Sequence, residues 1–274
     1  MYLSKRLALW LGLGLGIKAA AGMILFAYTD LIVSRALYDP TSLWAHGLEV
    51  FGEHPAWLLF FIGSSLLVQG AASMLIRFAA AIGTLGSSTI LIALTVIRAY
   101  DLSSSMSILV TSFAGGVVLS ALTYMLLSSV PKQKLTPLIP LISYGLTLIF
   151  FEMILVFVLK TFWGRVRFRD LLPDVTNFTL WFIPDFFSGS RSFPSGHAAN
   201  GWTLLILLWF IPLAQTPLRV IVWTVAIAFG FATALSRIVV GAHYASDVLA
   251  GSLITLTLFL VYTRLISKRQ YEKH

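Results

Sequence analysis

The sequence predicts an all-α fold, a polytopic transmembrane helix bundle of about eight spans, with six as the alternative. Three observations predict it. Of 274 residues, 58% are apolar and only 11% are charged, against roughly 25% charged in an ordinary soluble domain. A water-soluble globule of this composition would expose much of that apolar surface, and a disordered chain lacks such hydrophobicity. The apolar residues also fall in continuous runs, as membrane helices require, and not in the alternation of a transmembrane barrel. The absence of cysteine removes disulfides, thiol catalysis and Cys-ligated metal from consideration.

A bilayer-crossing helix needs about 20 apolar residues. Residues 7–28 qualify, with only Lys18 inside. Lys5 and Arg6 before this run and Ala19, Ala20 and Ala21 within it imitate a signal peptide. The run continues through Tyr28, so an uncleaved first span is expected. Residues 56–76, 78–97 and 102–131 carry no charge, and 135–160 carry only Glu152 before the closing Lys160. Residues 198–214, 220–236 and 248–263 complete the eight. The weakest break is at Arg77; six spans would demote two segments between 56 and 130 to interfacial or re-entrant pieces. With no repeat or linker, 1–274 reads as one membrane domain, in which 1–134 hold helices without a motif and 135–266 a core. Gly12 and Gly16 have a small-xxx-small spacing that permits close helix packing. Trp44, Trp57 and Trp181 near span ends are expected to be interfacial anchors.

Nineteen Lys and Arg against eleven Asp and Glu give a net charge of +8. In a soluble protein this would raise nucleic acid as a partner; in this chain cytoplasmic loops and an anion site compete to explain it. With the N-terminus inside, Lys5, Arg6, Arg77, Lys132, Lys134, Arg219, Arg264, Lys268, Arg269 and Lys273 fall on the cytoplasmic side. Asp30, Glu49, Asp101 and Asp247 are among the acids on the other side, with Arg35 and Arg98. Lys160, Arg165, Arg167, Arg169, Arg191 and Arg237 also fall there and break the positive-inside pattern, which points to a role other than topology.

Three stretches hold chemistry. The run 160–170 puts Lys160, Arg165, Arg167 and Arg169 within ten residues. Lipid headgroups at an interface would suit such a cluster; so would a dense anion, because guanidinium forks match phosphate oxygens. In 190–197, Ser195, Gly196 and His197 precede an apolar helix, where free N–H groups attract anions and Ser also serves as an ordinary cap. In 236–247, His243 and Asp247 are four apart and share a face if the last helix has begun. A carboxylate there holds one imidazole nitrogen and leaves the other to attack or take a proton; a solvated interfacial pair has the same spacing. All three fall on one predicted face. Together they suit phosphoryl transfer through a phosphohistidine without a metal. Glu152, two turns before Lys160, is an interior structural acid or the partner of another buried group.

These residues resemble the type 2 phosphatidic acid phosphatase (PAP2) superfamily, whose motifs are K-x6-R-P, P-S-G-H and S-R-x5-H-x3-D. Lys160 and Arg167 have the first spacing. Pro194, Ser195, Gly196 and His197 match the second, and Ser236, Arg237, His243 and Asp247 the third. The resemblance covers about 160–263. Phe168 stands where the family has Pro, which leaves Arg165, Arg167 and Arg169 as candidates, with spacing favouring Arg167. The resemblance implies an integral-membrane lipid phosphatase without cofactor or metal. His243 would be the nucleophile, Asp247 its orienting acid and His197 the proton donor. Lys160, Arg167, Ser195, Gly196 and Arg237 would bind phosphate. The expected partners are the bilayer and a lipid phosphate, with no nucleic acid. Phosphatidylglycerophosphate, undecaprenyl diphosphate, phosphatidic acid and a lipid A phosphate all fit. The expected place is a bacterial cytoplasmic membrane with the site outside. A lipid phosphotransferase and a non-catalytic anionic-lipid transporter are the alternatives.

Overall fold

The computed structural model describes residues 5–100, 102, 105–186 and 188–271; Asp101 and Lys273 of the charge pattern lie outside these residues. Among the described residues every regular element is helical: α1 (Lys5–Leu37), α2 (Leu43–Phe51), α3 (His54–Gly70), α4 (Met74–Ala99), α5 (Met106–Ser128), α6 (Lys132–Leu135), α7 (Ile139–Trp163), α8 (Gly196–Gly201), α9 (Thr216–Val239) and α10 (Ala245–Tyr271). Two 3-10 segments, Phe168–Asp170 and Thr203–Trp209, complete the list.

Among the described residues seven segments are long and apolar enough to cross a bilayer: Leu9–Leu37, Leu43–Gly70, Met74–Ala99, Met106–Ser128, Ile139–Asp170, Thr216–Val239 and Ala245–Arg269. The sequence pattern led to eight or six. The difference is 198–214, where a six-residue α8 gives way to a 3-10 segment. The Thr203 hydroxyl donates to the Asn200 carbonyl at 2.7 Å. At Gly201 a Cβ would stand only 3.1 Å from the Thr233 Cβ of α9. Close packing on α9, and not the apolar count, sets the geometry there. The break assigned to Arg77 lies earlier: Arg77 belongs to the first turn of α4, and its Nε donates to the Ala71 carbonyl at 2.6 Å.

Contacts divide the chain into two compact units, residues 1–52 with 150–274, and residues 53–149. In the second unit α3 packs on α4 and α4 on α5. Buried hydroxyls line these helices and donate back along them, as Ser65 does to Phe61 (2.8 Å) and Thr84 to Ala80 (2.9 Å). Small residues with internally satisfied hydroxyls let helices approach in an apolar medium. Glu53 and Arg98 pair at 2.6 Å.

In the first unit α10 packs along α1, and α8 packs on both α9 and α10. Helix α1 has 33 residues, about 50 Å at 1.5 Å per residue. It stops before Pro40, which disfavours helix at the residue preceding it. The Asp39 carboxylate then accepts from the Thr41 N–H at 2.9 Å, and its own N–H donates to the Val239 carbonyl at 2.9 Å. This ties the end of α1 to the end of α9. Gly251 of α10 lies against the chain entering α8: a Cβ there would be 2.1 Å from the Ser195 carbonyl oxygen. After α7, aromatic contacts pin the long connection. The Trp163 and Phe193 ring centroids are 4.7 Å apart, and the Trp181 indole donates to the Met23 carbonyl of α1 at 2.9 Å. Trp181, expected to be an interfacial anchor, thus serves as an internal tie. Gly12 and Gly16 do not mediate close packing: a Cβ at either meets nothing within 4 Å. Near them, α1 and α10 line a cavity of about 570 Å³ that reaches from Gly12 and Gly16 to Arg264.

The α9–α10 connection depends on Gly241, at φ +69°. The Arg237 carbonyl accepts from the N–H groups of Ala242 (3.0 Å) and His243 (3.1 Å), which closes the turn. A Cβ on Gly241 would lie 2.7 Å from the Tyr38 ring. Gly241→Ala therefore carries left-handed strain of about 1–2 kcal/mol as well as this clash. Thermal unfolding in detergent should show a lower midpoint for the variant; an unchanged midpoint would contradict this account of the turn.

Candidate active site

The motif residues collect in the first unit, where α1, α7, α8, α9 and α10 each have an end. His243 precedes α10, which begins at Ala245 with Asp247 in its first turn. The two residues are therefore not on one helix face, as their spacing alone suggested. A turn brings them together: the Tyr244 N–H donates to Asp247 Oδ2 at 2.9 Å, and His243 Nδ1 faces the same oxygen at 3.7 Å. That separation is an ion-pair distance and exceeds a hydrogen bond. Both side chains are buried.

Asp247 is the most heavily engaged group. Oδ2 accepts from the Ser192 hydroxyl, and Oδ1 accepts from Arg165 Nη1 at 2.6 Å. Arg165 is 1% exposed. Its Nη2 donates to Asp30 Oδ2 at 2.9 Å, its Nη1 also to Ser246 Oγ at 2.8 Å, and its Nε to the Thr179 carbonyl at 3.0 Å. The guanidinium carbon stands 4.0 Å from the Tyr244 ring centroid. Asp30 in turn accepts from the Ser246 N–H at 3.0 Å and from its hydroxyl. One cation between two carboxylates, with four of its five N–H groups given acceptors, is the form in which buried charge persists.

The three arginines are placed differently. Arg165 is committed to Asp30 and Asp247. Arg169 is exposed and pairs with Glu49 at 3.3 Å. Arg167 is half-buried at the start of the 3-10 turn, within electrostatic reach of Glu49, Arg169 and Asp170. Phe168, in place of the motif proline, packs edge-on against Tyr38 (5.3 Å) and Tyr244 (6.2 Å). An aromatic wedge thus holds the turn that a proline ring would stiffen.

The remaining motif residues are nearby. Lys160, at the end of α7, donates to the Arg191 carbonyl at 3.3 Å, and its charge acts on His243. Arg237 is buried, and its Nη2 donates to Glu49 Oε1 at 3.0 Å. Ser195 caps α8: its hydroxyl accepts from the Ala198 N–H at 3.3 Å, and its own N–H donates to the Asp247 backbone carbonyl at 2.9 Å. Gly196 and His197 open α8, both buried, and His197 Nε2 bonds the Glu49 backbone carbonyl at 3.0 Å. Glu152 is fully buried lower on α7. Among the described residues no three His, Asp or Glu side chains form a metal-ligand group.

Sequence reasoning missed Asp30, Glu49, Ser192 and Ser246 as parts of this cluster. Asp30 had one usable signal: an acid beside an apolar run is rarely left there without a buried partner. No local pattern marks the others.

Burial depresses the His243 pKa to about 3, with the Lys160 and Arg237 charges adding to the effect against the opposing pull of Asp247. The imidazole is therefore neutral at pH 7 and carries a lone pair. Nδ1 faces Asp247, which leaves Nε2 for a ligand. The unfolded chain binds a proton at His243 below its ordinary value of about 6.5, whereas the folded chain does not until about pH 3. Stability from this group is thus present at pH 7 and is lost as pH falls from about 6.5 toward 3, by about 2 kcal/mol at pH 5. Melting curves at pH 7 and 5 should show a smaller drop for His243→Gln than for the unaltered protein. Equal drops would contradict a neutral, buried His243.

Residues 140–271 match the family model described as the PAP2 superfamily. A lipid A 4'-phosphatase of Rhizobium leguminosarum is 34% identical over 125 residues, covering 43% of this chain and 50% of that protein. One of Rhizobium etli is 33% identical over 125 residues, covering 43% of this chain and 46% of that protein. The chain thus spans about half the length of the curated relatives it matches. No solved structure matches it. The match takes in most of α7 and all of α8, α9 and α10, with every residue of the three motifs inside its bounds, so 140–271 is similar to the PAP2 superfamily.

Proposed function

We propose that this chain is an integral-membrane lipid phosphatase that works through a phosphohistidine on His243. One observation carries the reading: a buried, neutral imidazole stands over a carboxylate that Arg165, Ser192 and a backbone N–H hold in place. Such a carboxylate stabilises the positive charge that develops on the ring as its other nitrogen attacks.

In the first step His243 Nε2 forms a bond to phosphorus and the ester P–O bond breaks. The leaving oxygen takes a proton from His197. Water then attacks phosphorus, gives a proton to His197, and the P–N bond breaks to release orthophosphate. Lys160, Arg167 and Arg237 neutralise the equatorial oxygens, helped by Ser195 and the Gly196 N–H. The step needs no metal or cofactor. The apolar helices support a membrane-anchored substrate; a site on the extracytoplasmic face of a bacterial cytoplasmic membrane follows from the positive-inside pattern with 196–214 returning the chain across the bilayer between Ile139–Asp170 and Thr216–Val239. The names of the relatives put a lipid A phosphate monoester first among substrates to test.

Purified protein should release orthophosphate in EDTA from at least one of lipid A, phosphatidylglycerophosphate, phosphatidic acid and undecaprenyl diphosphate. His243→Ala should lower turnover about 10³-fold or more. A chain that binds these lipids but releases no phosphate from any of them would be a carrier and not a phosphatase.

A further inference from the structure

Short helix α2 lies over two of the motif groups. Glu49, in its last turn, gives Oε1 to Arg237 Nη2 at 3.0 Å and to Arg169 Nη1 at 3.3 Å, while Oε2 faces His46 Nδ1 at 3.2 Å. Its backbone carbonyl bonds His197 Nε2 at 3.0 Å. A carbonyl only accepts, so that nitrogen carries its proton in this state. The fit is close: at Gly52, which follows α2, a Cβ would be 3.4 Å from the His197 ring and 2.4 Å from the Leu48 carbonyl oxygen. Two acceptor groups from one residue thus engage the guanidinium and the imidazole that a phosphate ester would use. A carboxylate is a weaker version of the same ligand, with one charge and two oxygens where phosphate has two charges and three.

We infer that Glu49 is an internal competitor for the phosphate position. Its carboxylate keeps the buried Arg237 charge compensated, which avoids the cost of an isolated buried cation. Substrate phosphate displaces it, frees the His197 proton for the leaving oxygen, and detaches the end of α2. After hydrolysis Glu49 returns and weakens the hold on orthophosphate, which several cations would otherwise retain. The inference rests on the reading of Arg237 and His197 as the phosphate site. It assigns to α2, outside the family segment, a part in ligand exchange. An internal competitor raises the apparent dissociation constant of every anion at the site by the same factor, the closed-to-open ratio plus one.

Isothermal titration of full-length protein in detergent with orthophosphate reads this without turnover. Glu49→Gln should bind orthophosphate about tenfold more tightly than the unaltered protein, and adding Arg237→Gln should abolish that gain. Equal or weaker binding by Glu49→Gln, with binding still dependent on Arg237, overturns the inference and leaves the phosphatase reading intact. Orthophosphate binding that ignores Arg237, or none in either protein, overturns both. The unaltered protein supplies a second test that needs no variant. Saturating orthophosphate should speed hydrogen–deuterium exchange in residues 43–52, and slowed or unchanged exchange there overturns the inference.

Discussion

The candidate site depends on one buried cation. Arg165 joins Asp30 of α1 to Asp247 of α10 through a single guanidinium, at 2.9 and 2.6 Å. Neither carboxylate could remain ionised in this interior alone, and the guanidinium could not remain there without them. The planar fork matters, because its separate nitrogens reach two carboxylates, a hydroxyl and a carbonyl at once; an ammonium has no such geometry. The bridge fixes the Asp247 carboxylate, and that carboxylate faces His243. The positions of His243, Ser192 and Ser195 all refer to Asp247.

Around this bridge the chain uses helix ends. Gly241 turns the chain at the end of α9 so that the Arg237 carbonyl can take the Ala242 and His243 N–H groups. Gly251 lets the segment entering α8 lie on α10, where Ser195 meets the Asp247 carbonyl. These are backbone constraints, and they explain why side chains far apart in the chain converge with little slack. Helices α1 and α2 carry no family motif, yet each contributes a carboxylate to the cluster, Asp30 to Arg165 and Glu49 to Arg237.

Much of this was legible in the sequence. Apolar runs define membrane helices because the bilayer imposes a length, and His197, Arg237, His243 and Asp247 stood out because their spacing matches the motifs of a known family. What failed to show was tertiary. Asp30 and Glu49 read as ordinary acids near span ends, since nothing in their neighbours names a partner 135 or 188 positions away. Spacing favoured Arg167 as the motif arginine but gave no sign that Arg165 is the buried one, because burial is decided by packing. The run 198–214 is apolar enough for a full helix, but contact with α9 at Gly201 shapes it otherwise. Gly12 and Gly16 have the spacing of a packing motif, but a cavity and not a close contact lies between them and α10.

The central claim is that the Arg165 bridge aligns Asp247 with a nucleophilic His243. Rapid alkaline quench during turnover, followed by mass spectrometry of the peptide bearing residue 243, tests it most directly. The account predicts a phosphoryl group on His243 in the unaltered protein and a strongly reduced amount in Arg165→Lys. A turning-over enzyme with no phosphoryl group on His243, or an Arg165→Lys variant phosphorylated as fast as the unaltered protein, would contradict it.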